Sequence, residues 1–136
     1  MDAHELIQKW RDAMNEGRLE EYLGYYAPDA VLETPLARVE GRKGVKGYDG
    51  SLASAFPNAS LKTSSIVVSG DTAAVEWIYG GKHTGPLVLS SGTIPPTNRS
   101  FSMPGTSILR FTPEGLIAKE RRYYDTRSFY EQLGLK

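Results

Sequence analysis

Thr72-Ala73-Ala74-Val75-Glu76-Trp77-Ile78-Tyr79-Gly80-Gly81-Lys82-His83 is the stretch that decides the fold. Its alternate residues separate into two kinds: Ala73, Val75, Trp77, Tyr79, Gly81 and His83 on one side, Ala74, Glu76, Ile78, Gly80 and Lys82 on the other. A period of two is that of a β-strand, and the aromatic, apolar side belongs to a core. Gly70-Asp71 just before it is a turn signal, so Leu61 to Ser69, rich in Thr, Ser, Ile and Val, reads as its hairpin partner. Downstream, Arg99 to Phe111 repeats the alternation with Phe101, Met103, Gly105, Ser107, Leu109 and Phe111 sharing a face. Pro113-Glu114-Gly115 then turns the chain into a last strand, Leu116 to Asp125, and a short amphipathic helix from Arg127 to Leu135 closes it. The segment between the two central strands, with Gly85-Pro86, Ser90-Ser91-Gly92 and Pro95-Pro96-Thr97-Asn98, reads as a loop.

Upstream the period changes. Leu6, Ile7, Trp10 and Met14, then Leu19, Tyr22, Leu23 and Tyr26, recur at spacings of three and four, which predicts two helices with Gly17 as the stop of the first. Asp29 to Pro35 reads as a short strand between prolines 28 and 35. Glycines at 41, 44, 47 and 50 weaken any helix there, and the predicted one runs from Val45 to Phe56. Helices first and hairpin-linked strands afterwards make an α+β domain, spanning residues 1–136, with helices covering one face of a curved antiparallel sheet. The cone so enclosed is the default ligand site.

Composition removes several classes of function. Sixteen Lys+Arg balance sixteen Asp+Glu, so there is no basic excess to hold nucleic acid or anionic lipid. With no cysteine, thiol chemistry, disulfides and Cys-ligated zinc are excluded. Two histidines far apart, without an acidic cluster at ligand spacing, do not predict a metal site. No apolar run approaches the roughly 18 residues of a membrane span, and Asp2 stands where a signal peptide carries bases, so the expectation is a cytoplasmic protein.

Several phrases together resemble a known family. Tyr25-Tyr26-Ala27-Pro28-Asp29-Ala30-Val31, Phe56-Pro57-Asn58, Gly81-Lys82-His83-Thr84-Gly85-Pro86-Leu87, Ile94-Pro95-Pro96-Thr97-Asn98-Arg99 and Glu120-Arg121-Arg122-Tyr123-Tyr124-Asp125 are similar to the SnoaL-like polyketide cyclases, an ester cyclase-like group of the nuclear transport factor 2 superfamily. The resemblance implies a cone-shaped, mixed sheet wrapped around N-terminal helices, the cystatin-like roll. It also implies a cofactor-independent homodimeric enzyme acting on a small hydrophobic carbonyl compound. Aldol cyclisation or a related isomerase or lyase reaction is the implied chemistry. The aspartate that serves as acid/base in such cyclases matches Asp125, and the pocket histidine matches His83. The ketosteroid isomerases of the superfamily have aspartates where this chain has Thr34 and Ser107. Its epoxide hydrolases pair an Arg and an Asp two apart on a strand, and Arg110 is followed by Phe111-Thr112.

Each candidate has a simpler reading beside it. A carboxylate among aromatics is a plausible base, but Asp125 precedes Thr126-Arg127-Ser128 and equally suits a helix N-cap. His83 suits either a proton shuttle or a hydrogen-bonded strand end. Trp10, Tyr26, Trp77, Tyr79, Phe101, Met103 and Tyr123 are the expected substrate-binding set, with ordinary core packing as the other role for each. Tyr123 and Arg121 share the parity of Asp125, which leaves Glu120, Arg122 and Tyr124 for an outer, dimer-forming sheet face. Three functions stay open: the cyclase-type enzyme, a non-catalytic ligand-binding or dimerisation module, and a hydrolase or dehydratase using the same pocket.

Overall fold

The computed structural model describes residues 2–135; Met1 and Lys136, the two ends of the expected domain, lie outside the described residues. Helix α1 (Ala3–Asn15) begins at Asp2, whose carboxylate accepts the Glu5 amide at 3.2 Å, and buries Ala3, Ile7, Trp10 and Ala13. It ends as the sequence predicts. Gly17 sits at φ +71°, and the bonds from Gly17 N to Met14 O and from Arg18 N to Ala13 O close a Schellman cap. Helix α2 (Leu19–Gly24) is a single short segment, and Tyr26 opens strand β1 (Tyr26–Glu33) rather than extending the helical stripe.

An edge strand β2 (Arg38–Glu40) leads into α3 (Gly41–Ala55), which starts four residues before the predicted Val45 despite its glycines. Buried Val45 and Ala55, with Leu52 packed against the core, hold it over β1, so tertiary burial overrides the poor helix propensity. Strands β3 (Ser60–Ser69) and β4 (Thr72–Lys82) form the expected hairpin, with an irregularity in register between Thr63 and Ser65. The expected loop contains a small separate hairpin, β5 (Leu87–Leu89) and β6 (Gly92–Ile94). Strands β7 (Ser100–Phe111) and β8 (Ile117–Tyr124) and helix α4 (Thr126–Gln132) complete the chain.

The main sheet runs β2-β1-β8-β7-β4-β3, with all neighbours antiparallel except the parallel pair β1 and β8. Its helix-covered face carries Val75, Trp77, Met103, Ser107 and Leu109 into the core, as the alternation predicts. Gly105, opposite Trp77, makes this possible: a Cβ there would lie 2.3 Å from the indole, so only glycine lets the ring fold across β7. Among the described residues no helix is long and apolar enough to cross a membrane.

Candidate active site

A cavity of about 180 Å³ lies between the helices and the sheet. Its wall is apolar where Trp10, Leu52, Phe56, Trp77, Tyr79 and Met103 line it, and polar where Asp49, Ser107, Glu120 and Arg122 meet. Those four come from three elements. Asp49 is on α3 in the same helical stripe as Val45 and Leu52, so the packing that seats the helix also aims the carboxylate inward. Ser107 of β7 is the register partner of Arg122 on β8, and Glu120 lies two residues before Arg122, on the same face.

Arg122 is clamped from both sides. Its Nη1 and Nη2 donate to Asp49 Oδ1 and Oδ2 at 2.7 and 2.9 Å, a bidentate pair, while Nε donates to Glu120 Oε2 at 3.0 Å. Glu120, with no exposed surface, accepts three further groups: Ser107 Oγ at 2.8 Å, Tyr26 OH at 2.5 Å and Arg122 Nη2 at 3.3 Å. Tyr22 OH donates to Asp49 Oδ2 at 2.6 Å and stands 3.0 Å from Tyr26 OH. The two tryptophans close the ends, Trp10 Nε1 donating to Tyr26 OH at 3.1 Å and Trp77 Nε1 to Ser107 Oγ at 3.0 Å.

Burial opposes the charge on Arg122, but Asp49 and Glu120 outweigh it and keep the guanidinium protonated. Burial, with the fields of the two carboxylates, pushes the Tyr22 and Tyr26 phenols well above their ordinary value. Tyr79 is raised by the same causes, burial and then Asp49. The cavity therefore holds phenols that keep their protons beside two carboxylates that share one cation. Among the described residues no three His, Asp or Glu side chains converge in the manner of a metal site.

The residues expected at the site divide. Trp10, Trp77, Tyr79 and Met103 line the cavity. Tyr26 and Phe101 are buried behind that lining, Tyr26 touching Glu120 and Phe101 packing on Phe56 at 4.7 Å between ring centroids. Tyr123 is 52% exposed on the outer face. Asp125 is also exposed and outside the cavity lining; its carboxylate accepts Ser128 N at 3.1 Å as the N-cap of α4. His83 is fully buried, but edge-on to Phe56 and outside the lining, with Nδ1 accepting Thr97 N at 3.2 Å and Nε2 without a partner among the described residues. The structure does not bring Asp125 and His83 together around the cavity.

The parity assigned to β8 is the correction behind this. Glu120, Arg122 and Tyr124 face the cavity, while Arg121 and Tyr123 face outward. A carboxylate–arginine–carboxylate cluster exists after all, not at Arg110 but at Asp49, Arg122 and Glu120. Alternation alone did not reveal it, because both parities of β8 mix charged and aromatic residues. The available signal was register: Ser107 faces inward, so its partner Arg122 must as well.

The family model of the SnoaL-like domain matches residues 7–120. Among solved structures, TsrD of Streptomyces laurentii is 26% identical, covering 98% of this chain and 95% of that one, with a TM-score of 0.83. IdmH of Streptomyces antibioticus, named as a polyketide cyclase, is also 26% identical, over 99% of this chain and 100% of that one, with a TM-score of 0.80. A protein of Jannaschia sp. CCS1 named as a SnoaL-like polyketide cyclase has a TM-score of 0.85 at 17% identity, over 98% and 92% of the two chains, a likeness of fold. Among curated protein sequences none matches significantly.

Proposed function

Because the chain belongs to the SnoaL-like domain family, we propose that it is a small-molecule enzyme working by general acid/base chemistry on a hydrophobic, polyketide-type carbonyl compound, by aldol cyclisation or a related isomerisation. The observation that carries this reading is the Asp49 carboxylate, held bidentate by Arg122 in the wall of an otherwise aromatic and aliphatic cavity. Three hydrogen bonds, two from Arg122 and one from Tyr22, fix its orientation, and the apolar walls limit the water that would quench an enolate.

In this reading Asp49 takes the proton from the carbon beside the substrate carbonyl. The C–H electron pair becomes an enolate, whose oxygen is stabilised by the Arg122 guanidinium and the Tyr79 phenol, both protonated. The enolate carbon attacks a second carbonyl, the new carbon–carbon bond forms, and the resulting alkoxide recovers the proton from Asp49. Protons balance over the cycle, and the residues named require no further reactant.

Asp49→Asn should lower turnover of an aromatic polyketide-type ketone by a factor of about 10² to 10⁴, with little change in binding. Unchanged turnover would sink the assignment, as would loss of turnover in Asp125→Asn with Asp49→Asn unaffected. A second reading, hydrolase or dehydratase chemistry, rests on the paired carboxylates around Arg122, one of which would orient water while the other stays with the cation. Product mass separates them: cyclisation leaves the substrate mass unchanged, hydrolysis adds one water, whose oxygen labelled solvent supplies, and dehydration removes one. The proposal extends to a homodimer through the outer sheet face, where Val67, Ile78 and Tyr123 are exposed.

A further inference from the structure

We infer that the acid/base group is not a single carboxylate but a four-residue proton store, Asp49–Tyr22–Tyr26–Glu120, in which two buried phenols let one proton be shared between the two carboxylates. The inference rests on the acid/base reading above and specifies how the proton is kept.

The hydrogens available to this chain are one too few. Three short oxygen–oxygen contacts run in series: Asp49 Oδ2 to Tyr22 OH at 2.6 Å, Tyr22 OH to Tyr26 OH at 3.0 Å, and Tyr26 OH to Glu120 Oε1 at 2.5 Å. The phenols bring two hydrogens to these three contacts, and an ionised carboxylate only accepts. With both ends ionised, each phenol donates to its own carboxylate and the middle contact has no proton. It is also the longest of the three. One added proton completes the chain. Placed on Asp49, it is donated to Tyr22, Tyr22 turns to donate to Tyr26, and Tyr26 still donates to Glu120. Placed on Glu120, every donation runs the other way.

Every polar group facing the chain fits this count. Arg122 on β8 donates Nη2 to Asp49 Oδ2 at 2.9 Å and lies 3.3 Å from both Tyr22 OH and Glu120 Oε1, Trp10 on α1 donates to Tyr26 OH, and Ser107 on β7 donates to Glu120 Oε2, outside the chain, so none of these groups takes up a hydrogen that the chain needs. Two carboxylates around one guanidinium leave a single negative charge in a largely buried site, which one proton neutralises. The phenols keep their own hydrogens, since burial raises both well above the ordinary range. A proton taken from substrate at Asp49 is thus spread towards a fully buried residue while the carbon–carbon bond forms, and it returns along the same bonds. Tyr22 and Tyr26 are positioning residues in this sense.

The test is a pH titration of the free protein by NMR, with ¹³C-labelled Asp and Glu carboxyl groups. In the wild type the Asp49 and Glu120 carboxyl carbons should shift together with one midpoint, for one proton in total. Tyr22→Phe and Tyr26→Phe each remove a hydroxyl without removing charge, so each should split this into two midpoints at least one pH unit apart, with the remaining spectrum unchanged. Independent midpoints in the wild type would overturn the inference, and so would unaltered curves in both variants, the behaviour of carboxylates coupled only through space. The titration uses no substrate, so its failure leaves the Asp49 assignment standing, and failure of Asp49→Asn to affect turnover leaves the titration standing.

Discussion

His83 shows how a single buried side chain converts pH into stability. Its Nδ1 accepts the Thr97 amide, so the folded state needs the neutral ring, and burial lowers its pKa against a smaller opposing effect of the Gly85 backbone. In the unfolded chain the imidazole takes a proton near pH ~6.5. Below that value the unfolded state binds more protons, so the stability present above about pH 6.5 is lost as pH falls towards the lower folded value, by at most about 1.4 kcal/mol per pH unit. The melting temperature should drop between pH 7.5 and 5.5 (roughly one unit either side of the reference value), and His83→Asn, whose amide oxygen can take the Thr97 bond, should flatten that step. Equal steps in the two proteins would refute the assignment. At this scale the sequence was partly legible. Periodicity placed Trp10, Trp77, Tyr79 and Met103 on inward faces, but it did not separate them from Phe101, which shares the face of Met103 and lies behind the lining. Arg122 was not legible, because its main partner, Asp49, is 73 residues away and no local pattern records that pairing.

Among the elements, α3 is the one that sequence propensity describes least well. Gly47 is exposed on it, in a helix that burial of Val45 and Ala55 holds in place, and a Cβ at Gly47 would meet nothing within 4 Å. Gly47→Ala should therefore raise stability by about 0.5–1 kcal/mol, read as a higher denaturation midpoint with an unchanged denaturant slope. A lower midpoint would show that the glycine serves a purpose its surroundings do not reveal. The strands were easier. In β4 and β7 one parity is apolar and the other polar, and the structure keeps both assignments. In β8 the parities look alike, and a resemblance anchored at Asp125 set the strand the wrong way round. The hairpin of β5 and β6 was hidden because each strand is three residues long, too short for alternation to stand out from a loop.

Across the whole molecule, the arrangement of helices before a curved sheet was readable from the change of period alone, while the parallel β1–β8 pairing was not, since it joins distant segments. The outer sheet face carries Val67, Ile78 and Tyr123 at 62, 42 and 52% exposure, an apolar group that a second copy would cover. If the proposed dimer forms, light scattering should give twice the 15.0 kDa of one chain for the unaltered protein and a mass near one chain for Ile78→Lys combined with Tyr123→Glu. A monomeric unaltered protein would refute the dimer. One further consequence follows from the tryptophans. The chain has two, and both indoles line the cavity while donating into opposite ends of the same polar cluster. Tryptophan emission, excited beyond the absorption of the eight tyrosines, therefore comes from the cavity alone. Selectively excited tryptophan fluorescence of the unlabelled protein should report ligand occupancy and charge rearrangement at the site, without a turnover assay.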